Sequence, residues 1–132
     1  MSSKFELVKE YLLELDLRIV SEDPAEELVV VEDEDNGIQH MFVDCEDPIL
    51  VIEQPIMPVP AETGDLFKRL LQINRSLVHG AFVLDEECKH VIFRDTLQLE
   101  NLDLNELEGS IQSLSLGLAE NGAELLSYIK KG

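Results

Sequence analysis

The chain predicts an α+β fold, an antiparallel sheet of five or six strands with three helices in the order α-β-β-β-α-β-β-α. Three observations predict it. Short β-branched or apolar runs at residues 28–31, 38–45 and 49–52 are bounded by turn-forming residues. Longer stretches at both ends and in the middle repeat apolar residues at three- and four-residue steps. The strand connections are too short for a parallel crossover, so neighbouring strands pair antiparallel and the helices segregate to the sheet's faces. At 132 residues the chain fits a single domain over 1–132, long enough to bury one substantial core.

Ser3 and Glu6 have the spacing of a capping box, which starts the first helix near Lys4. Phe5, Val8, Leu12 and Leu15 form its apolar stripe, widened by Leu7 and Tyr11, until residues 16–24 break the pattern. Three strands are expected next. The first is 28–31; Asp33-Glu34-Asp35-Asn36-Gly37 turns the chain, because Asn-Gly tolerates positive φ; and 38–45 returns. After Glu46-Asp47-Pro48 comes 49–52, and Pro55, Pro58 and Pro60 then remove backbone donors and end the sheet pairing.

A second helix over 61–78 carries Leu66, Leu70, Ile73 and Leu77 on one face and Phe67, Leu71 and Val78 on another, which implies contacts on two sides. Gly80 stops it or starts the next strand. Residues 81–84 and 90–93 bracket the polar turn 85–89 as a second hairpin. Asp103 and Glu106 have N-cap and N3 spacing before a stripe from Leu104 to Ile129, one long helix whose weak point is Asn121-Gly122.

The segment from Leu70 to Asp103, LLQINRSLVHGAFVLDEECKHVIFRDTLQLENLD, resembles the type III secretion chaperone family, the CesT or Tir-chaperone group, together with YbjN-like proteins. The order of elements extends that likeness over nearly the whole chain. The resemblance implies a homodimer formed through the second helix and an adjacent strand, here Phe67, Leu71, Asn74 and Val78 with Phe82 and Leu84. It also implies a client protein that wraps as an extended segment around apolar patches, here Leu7, Tyr11, Val29, Val31, Met41 and Val43. No cofactor or ATP is implied. A YbjN-like regulatory or sensory module, binding a signalling protein in place of an export client, is the alternative the same resemblance carries. The long connection over 16–27 and the Asn121-Gly122 interruption depart from the family pattern.

Composition bears on partners. Twenty-eight Asp and Glu against ten Lys and Arg give a net charge of -18, with 45% hydrophobic residues, so the chain folds and is strongly acidic. Each phosphate of a nucleic acid or an anionic membrane meets a field of the wrong sign, which disfavours both and leaves solubility or steering toward basic proteins. No apolar run reaches the length of a signal h-region or a membrane span, and a cytoplasmic location is expected. Cys45 and Cys88 are then expected as reduced thiols.

The acidic run 32–35 fails the spacing of a calcium loop, since Val43 would stand where a bidentate Glu is required. His40, His79 and His90 have no second ligand at close spacing, as a structural zinc site would show. No nucleotide, hydrolase or metalloprotease motif occurs, so no catalytic residue is assigned and a non-enzymatic protein is expected. Surplus apolar character remains. Val29, Val31, Met41, Val43, Leu50 and Ile52 stand beside equally apolar neighbours, so both sheet faces call for cover.

Overall fold

The computed structural model describes residues 3–130; the two residues at each end, to which the expected domain boundaries extend, lie outside the described residues. The elements are α1 (Lys4–Glu14), β1 (Arg18–Asp23), β2 (Leu28–Asp33), β3 (Ile38–Glu46), β4 (Ile49–Pro58), α2 (Leu66–Asn74), β5 (Ala81–Leu84), β6 (His90–Gln98) and α3 (Leu104–Lys130). The strands form one sheet in the order β1-β2-β3-β4-β6-β5, antiparallel at every junction. The predicted class is the observed one, with one strand more than the predicted order contains.

Both predicted caps form. Ser3 Oγ accepts from the Glu6 amide at 3.2 Å and Asp103 Oδ1 from the Glu106 amide at 2.7 Å. Each satisfies a backbone donor that has no partner inside the first helical turn. In α3 the helix runs through Asn121-Gly122 without a break, because the Asn121 amide turns back to the Gly117 carbonyl at 3.0 Å and its side chain is buried.

Four element boundaries differ from expectation. Residues 18–23, read as connection, form β1: only Ile19 is half-buried, so an edge strand that buries almost nothing leaves no alternation to detect. β4 continues past Ile52 to Pro58, because β3 pairs with it only as far as Glu53 and Pro55 therefore needs no donor on that side. β6 extends to Gln98, five residues past the expected end at Phe93. α2 is shorter than expected: Gly64 at φ +52° precedes it, and Leu77 and Val78 lie beyond its end.

Register assigns each side chain to a face. Val29, Val43 and Ile52 are aligned across three strands, as are Cys45, Leu50 and Leu97 across β3, β4 and β6, and Phe82 faces Phe93 across β5 and β6. This face packs against Phe5, Val8 and Leu12 of α1, Leu66, Leu70 and Ile73 of α2, and Leu107, Leu114 and Leu125 of α3 in one continuous core. Fully burying side chains of this size contributes about 1.5–3 kcal/mol each. Polar ties fix the helices over that face. Ser110 Oγ donates to Asp95 of β6 at 2.7 Å, the Ser113 hydroxyl donates to the His79 carbonyl at 2.6 Å, and Arg69 of α2 meets Glu124 of α3 at 2.6 Å. The Tyr128 hydroxyl donates to Asp65 at 2.6 Å, which holds its proton on and pushes the phenol up to about 12.

The turn into β5 depends on Gly80, at φ +70°. A Cβ there would run into Phe93 Cζ and lie 3.0 Å from the Arg94 carbonyl oxygen. Gly80→Ala is therefore expected to destabilise the fold by at least about 2 kcal/mol, from positive-φ strain plus overpacking of a buried ring. Urea denaturation of the two proteins checks this, the variant's midpoint falling with an unchanged slope.

Candidate protein-binding surfaces

Besides the singly exposed Leu13 of α1 and Leu116 and Leu126 of α3, two apolar surfaces bear on the expected sites. The first is the back of α2. Phe67, Leu71 and Val78 are 41%, 73% and 81% exposed. Phe67 and Leu71 rim a shallow depression of about 350 Å³ that reaches β5, with Val83 and Leu84 on its far side. β5 is an edge of the sheet, and an edge offers free backbone groups to a second chain. Here the edge is partly closed. The Asn74 amide donates to the Phe82 carbonyl at 3.0 Å, and its oxygen accepts from the Phe82 amide at 2.8 Å. Both outward backbone groups of Phe82 are thus occupied from within the chain.

Of the six residues expected at a dimer interface, Phe67, Leu71 and Val78 are exposed, Leu84 is half-buried, and Asn74 is engaged by the β5 backbone. Phe82 differs: its ring is almost wholly buried in an edge-to-face contact with Phe93, centroids 6.0 Å apart, and Phe82 reaches the surface only at the floor of the depression.

The second surface is the sheet face away from the helices. By register it carries the row Ser21, Val30, Phe42, Glu53, Arg94 and Ala81, beside it the row Asp23, Leu28, Asp44, Val51 and Thr96, and farther on Glu46 with Ile49 and Gln98. Val30 and Val51 are shielded by their neighbours on this face, yet neither belongs to the core that the helices contact. Phe42, Leu28 and Ile49 are half-buried, and the His40 ring stands edge-on to Phe42 with centroids 5.6 Å apart.

This reverses part of the expected client patch. Val29, Val31 and Met41 are 0% exposed and Val43 1%, all on the roofed face, so they form the core and present nothing to a partner. A one-residue step in a strand exchanges faces, and on the other face Leu28, Phe42 and Ile49 are the half-exposed apolar residues, while Val30 and Val51 lie shielded between them. Leu7 and Tyr11 of α1 are half-buried, the Tyr11 hydroxyl lying 3.4 Å from the Leu102 carbonyl oxygen.

Charge on the open face is uneven. Asp44 sits among Glu46 on its own strand, Glu53 on β4 and Glu26 before β2. Its Oδ1 is shielded from water and has no hydrogen-bond partner among the described residues. Desolvation first, then proton sharing with Glu46 and repulsion by these carboxylates, push the Asp44 carboxyl up to about 6. Sequence patterning did not single out Asp44, since an acid in a strand of a protein this acidic looks like any solvated residue. On the roofed side, Gln54 bridges β4 to β3, donating to the Gly37 carbonyl at 3.0 Å and accepting from the Gln39 amide at 3.1 Å.

Burial above all pushes the Cys45 thiol up to about 11, the opposite of an activated nucleophile, and Cys88 is exposed and unbonded in the β5–β6 turn. Among the described residues no three His, Cys, Asp or Glu side chains could hold a metal ion, and no helix is long and apolar enough to cross a membrane.

The CesT_Tir_1 family pattern matches residues 1–131. The chain belongs to the CesT_Tir_1 family. Its fold is shared by YbjN from E. coli, proposed as a transcription regulator, at 16% identity and a TM-score of 0.70, covering 93% of each chain. It is shared too by the Yersinia pestis type III secretion chaperone SycH, solved in complex with a stable fragment of YscM2, at 17% identity and a TM-score of 0.57, covering 85% of this chain and 93% of that one. The HopA1-SchA chaperone-effector complex gives 14% identity and a TM-score of 0.60, covering 86% and 88%. At these identities the likeness is one of fold. A search of curated proteins finds no match.

The raised Asp44 carboxyl has a signed consequence. A folded pKa near 6 against 3.8 unfolded means that the folded state holds the proton more tightly. Stability therefore falls as pH rises from about 4 to 6 and stays lowered above that. Asp44→Asn is expected to stabilise the protein at pH 7.5 by about 1 kcal/mol after discounting for solvent screening, and to have little effect at pH 4. Thermal melts of both proteins at the two pH values check it.

Proposed function

We propose that this chain is a non-enzymatic protein-binding module of secretion-chaperone type, a homodimer that holds an extended segment of another protein. One observation carries the reading: the apolar residues of the sheet's second face, Val30, Phe42 and Val51 at its centre, lie outside the core that the helices pack against among the described residues. The back of α2 supports self-association, because Phe67 and Leu71 expose large side chains at the rim of an apolar depression and Val78, past the end of the helix, is exposed as well. Burial of apolar area contributes about 25 cal/mol per Å² before association costs, so an interface near 1,600 Å² can hold two copies together if well packed. Asn74 closes the β5 edge at Phe82, which favours side-chain packing of α2 over a sheet continued between copies.

Membership in the CesT_Tir_1 family, and the solved complexes of SycH and SchA with other proteins, support a binding role over catalysis. The expected locale is the cytoplasm, where a chaperone meets its client before export. A regulatory partner in place of an export client, as for a YbjN-like module, would use the same two surfaces.

Light scattering on the purified chain tests the dimer. A dimeric mass at micromolar concentration is expected for the native sequence and a monomeric mass for Leu71→Asp, with unchanged far-ultraviolet circular dichroism; a native monomer would contradict the reading. Adjacent substitutions test the open face. Phe42→Asp is expected to stay folded and lose the partner captured from the native host, identified by mass spectrometry. Val43→Asp is expected to cost more than about 3 kcal/mol, because it buries a carboxylate in the core. Equal partner recovery by Phe42→Asp and the native chain would count against the open face.

A further inference from the structure

The open face also has a polarity that selects among partners. Among the described residues, Arg18, opposite Glu32 at the β1 end of this face, and Arg94 are already engaged: Arg18 Nη2 lies 3.0 Å from Glu32 Oε1 and Arg94 Nη1 lies 3.1 Å from Glu53 Oε1. The ion pairs among the described residues include none to Asp23, Glu26, Asp44 or Glu46. Unneutralised carboxylates thus stand beside Leu28, Val30, Phe42 and Val51. A second copy laid symmetrically on this face would set acid against acid, so self-association through it is opposed. Nucleic acids and anionic lipid surfaces are repelled for the same reason.

We propose that this face docks a basic amphipathic segment of a partner protein, its apolar side chains laid on Leu28, Phe42 and Ile49 around the shielded Val30 and Val51 and its Lys or Arg side chains set against Asp44, Glu46 and Glu26. The inference rests on the protein-binding reading above and names the chemistry of the partner. A cation at that position gives the unpartnered Asp44 Oδ1 a charge-assisted hydrogen bond and screens it from Glu46, Glu26 and Glu53. It relieves crowding that the isolated chain carries as lost stability. Retaining a locally unfavourable group is the pattern expected where binding, not folding, sets the residue. The net charge of -18 adds steering, which speeds encounter with such a segment and weakens as salt rises.

Fluorescence anisotropy on the full chain tests this with three labelled synthetic peptides of equal length and identical apolar positions, their polar positions all Lys, all Gln or all Glu. The Lys peptide is expected to bind tightest, with affinity falling as salt rises, and the Glu peptide not at all. Two charge-matched double variants separate a local site from net charge. Asp44→Asn with Glu46→Gln is expected to weaken Lys-peptide binding by roughly fivefold to tenfold, whereas Glu106→Gln with Glu120→Gln, on α3 across the molecule, changes it less than about twofold. Thermal melts confirm that both variants are folded. Equal losses in the two variants would assign the affinity to overall charge and overturn the proposal. Equal affinity for the Lys and Gln peptides would overturn it while leaving the protein-binding reading intact, and failure of all three peptides would count against both.

Discussion

The structure depends on a mismatch between a sheet that is apolar on both sides and helices that cover only one. Six strands place Val29, Val31, Met41, Val43, Leu50 and Ile52 toward α1, α2 and α3, where they form a continuous core. The alternate residues, Val30, Phe42 and Val51 among them, face away from every helix. A two-layer domain is stable with such a face provided that it is narrow and broken by charge. It is so broken here, by Asp23, Asp44, Glu46 and Glu53.

Those carboxylates act in two ways. They interrupt the apolar row and so guard against indiscriminate association. They also crowd one another, and Asp44 carries the cost as a carboxyl that ionises reluctantly. Among the described residues its neighbours offer no free cation, since Arg94 is held by Glu53. At the far edge the same logic recurs in a different form. β1 presents Arg, Ser, Glu and Asp with an irregularity between Ile19 and Ser21, which blunts that edge. At the opposite edge Asn74 occupies the Phe82 backbone, while the exposed side of α2 stays apolar. One edge is thus shielded by charge and the other by a side-chain amide, while apolar surface stays free on the back of α2 and on the open sheet face.

Much of this was legible in the residues. Capping pairs, the Asn-Gly turn and helical periodicity located all three helices and five strands, because each follows from local chemistry acting over a few residues. The stripe Phe67, Leu71 and Val78 showed that α2 has a second apolar side. What escaped were features set by neighbours remote in sequence. β1 lacks a buried alternation because it is an edge; Pro55 is tolerated because β3 has already diverged; and Gln54 reads as an ordinary polar residue until Gly37 and Gln39 are brought to it. The faces of β2 and β3 were exchanged for a related reason. Both sets of alternate residues are apolar, so period-two patterning cannot say which set the helices cover, and the family resemblance pointed to the set that proved buried.

Hydroxyl-radical footprinting read by mass spectrometry tests the one-sided roof most directly, because Met41 and Phe42 are adjacent in β3 and point to opposite faces. Methionine is readily oxidised where it is accessible. The account predicts that Met41 is protected in the folded chain while Phe42 is modified, and that Phe42 becomes protected when a partner segment binds. Rapid oxidation of Met41 with Phe42 shielded in the unliganded protein would place the helices on the other face and contradict the account.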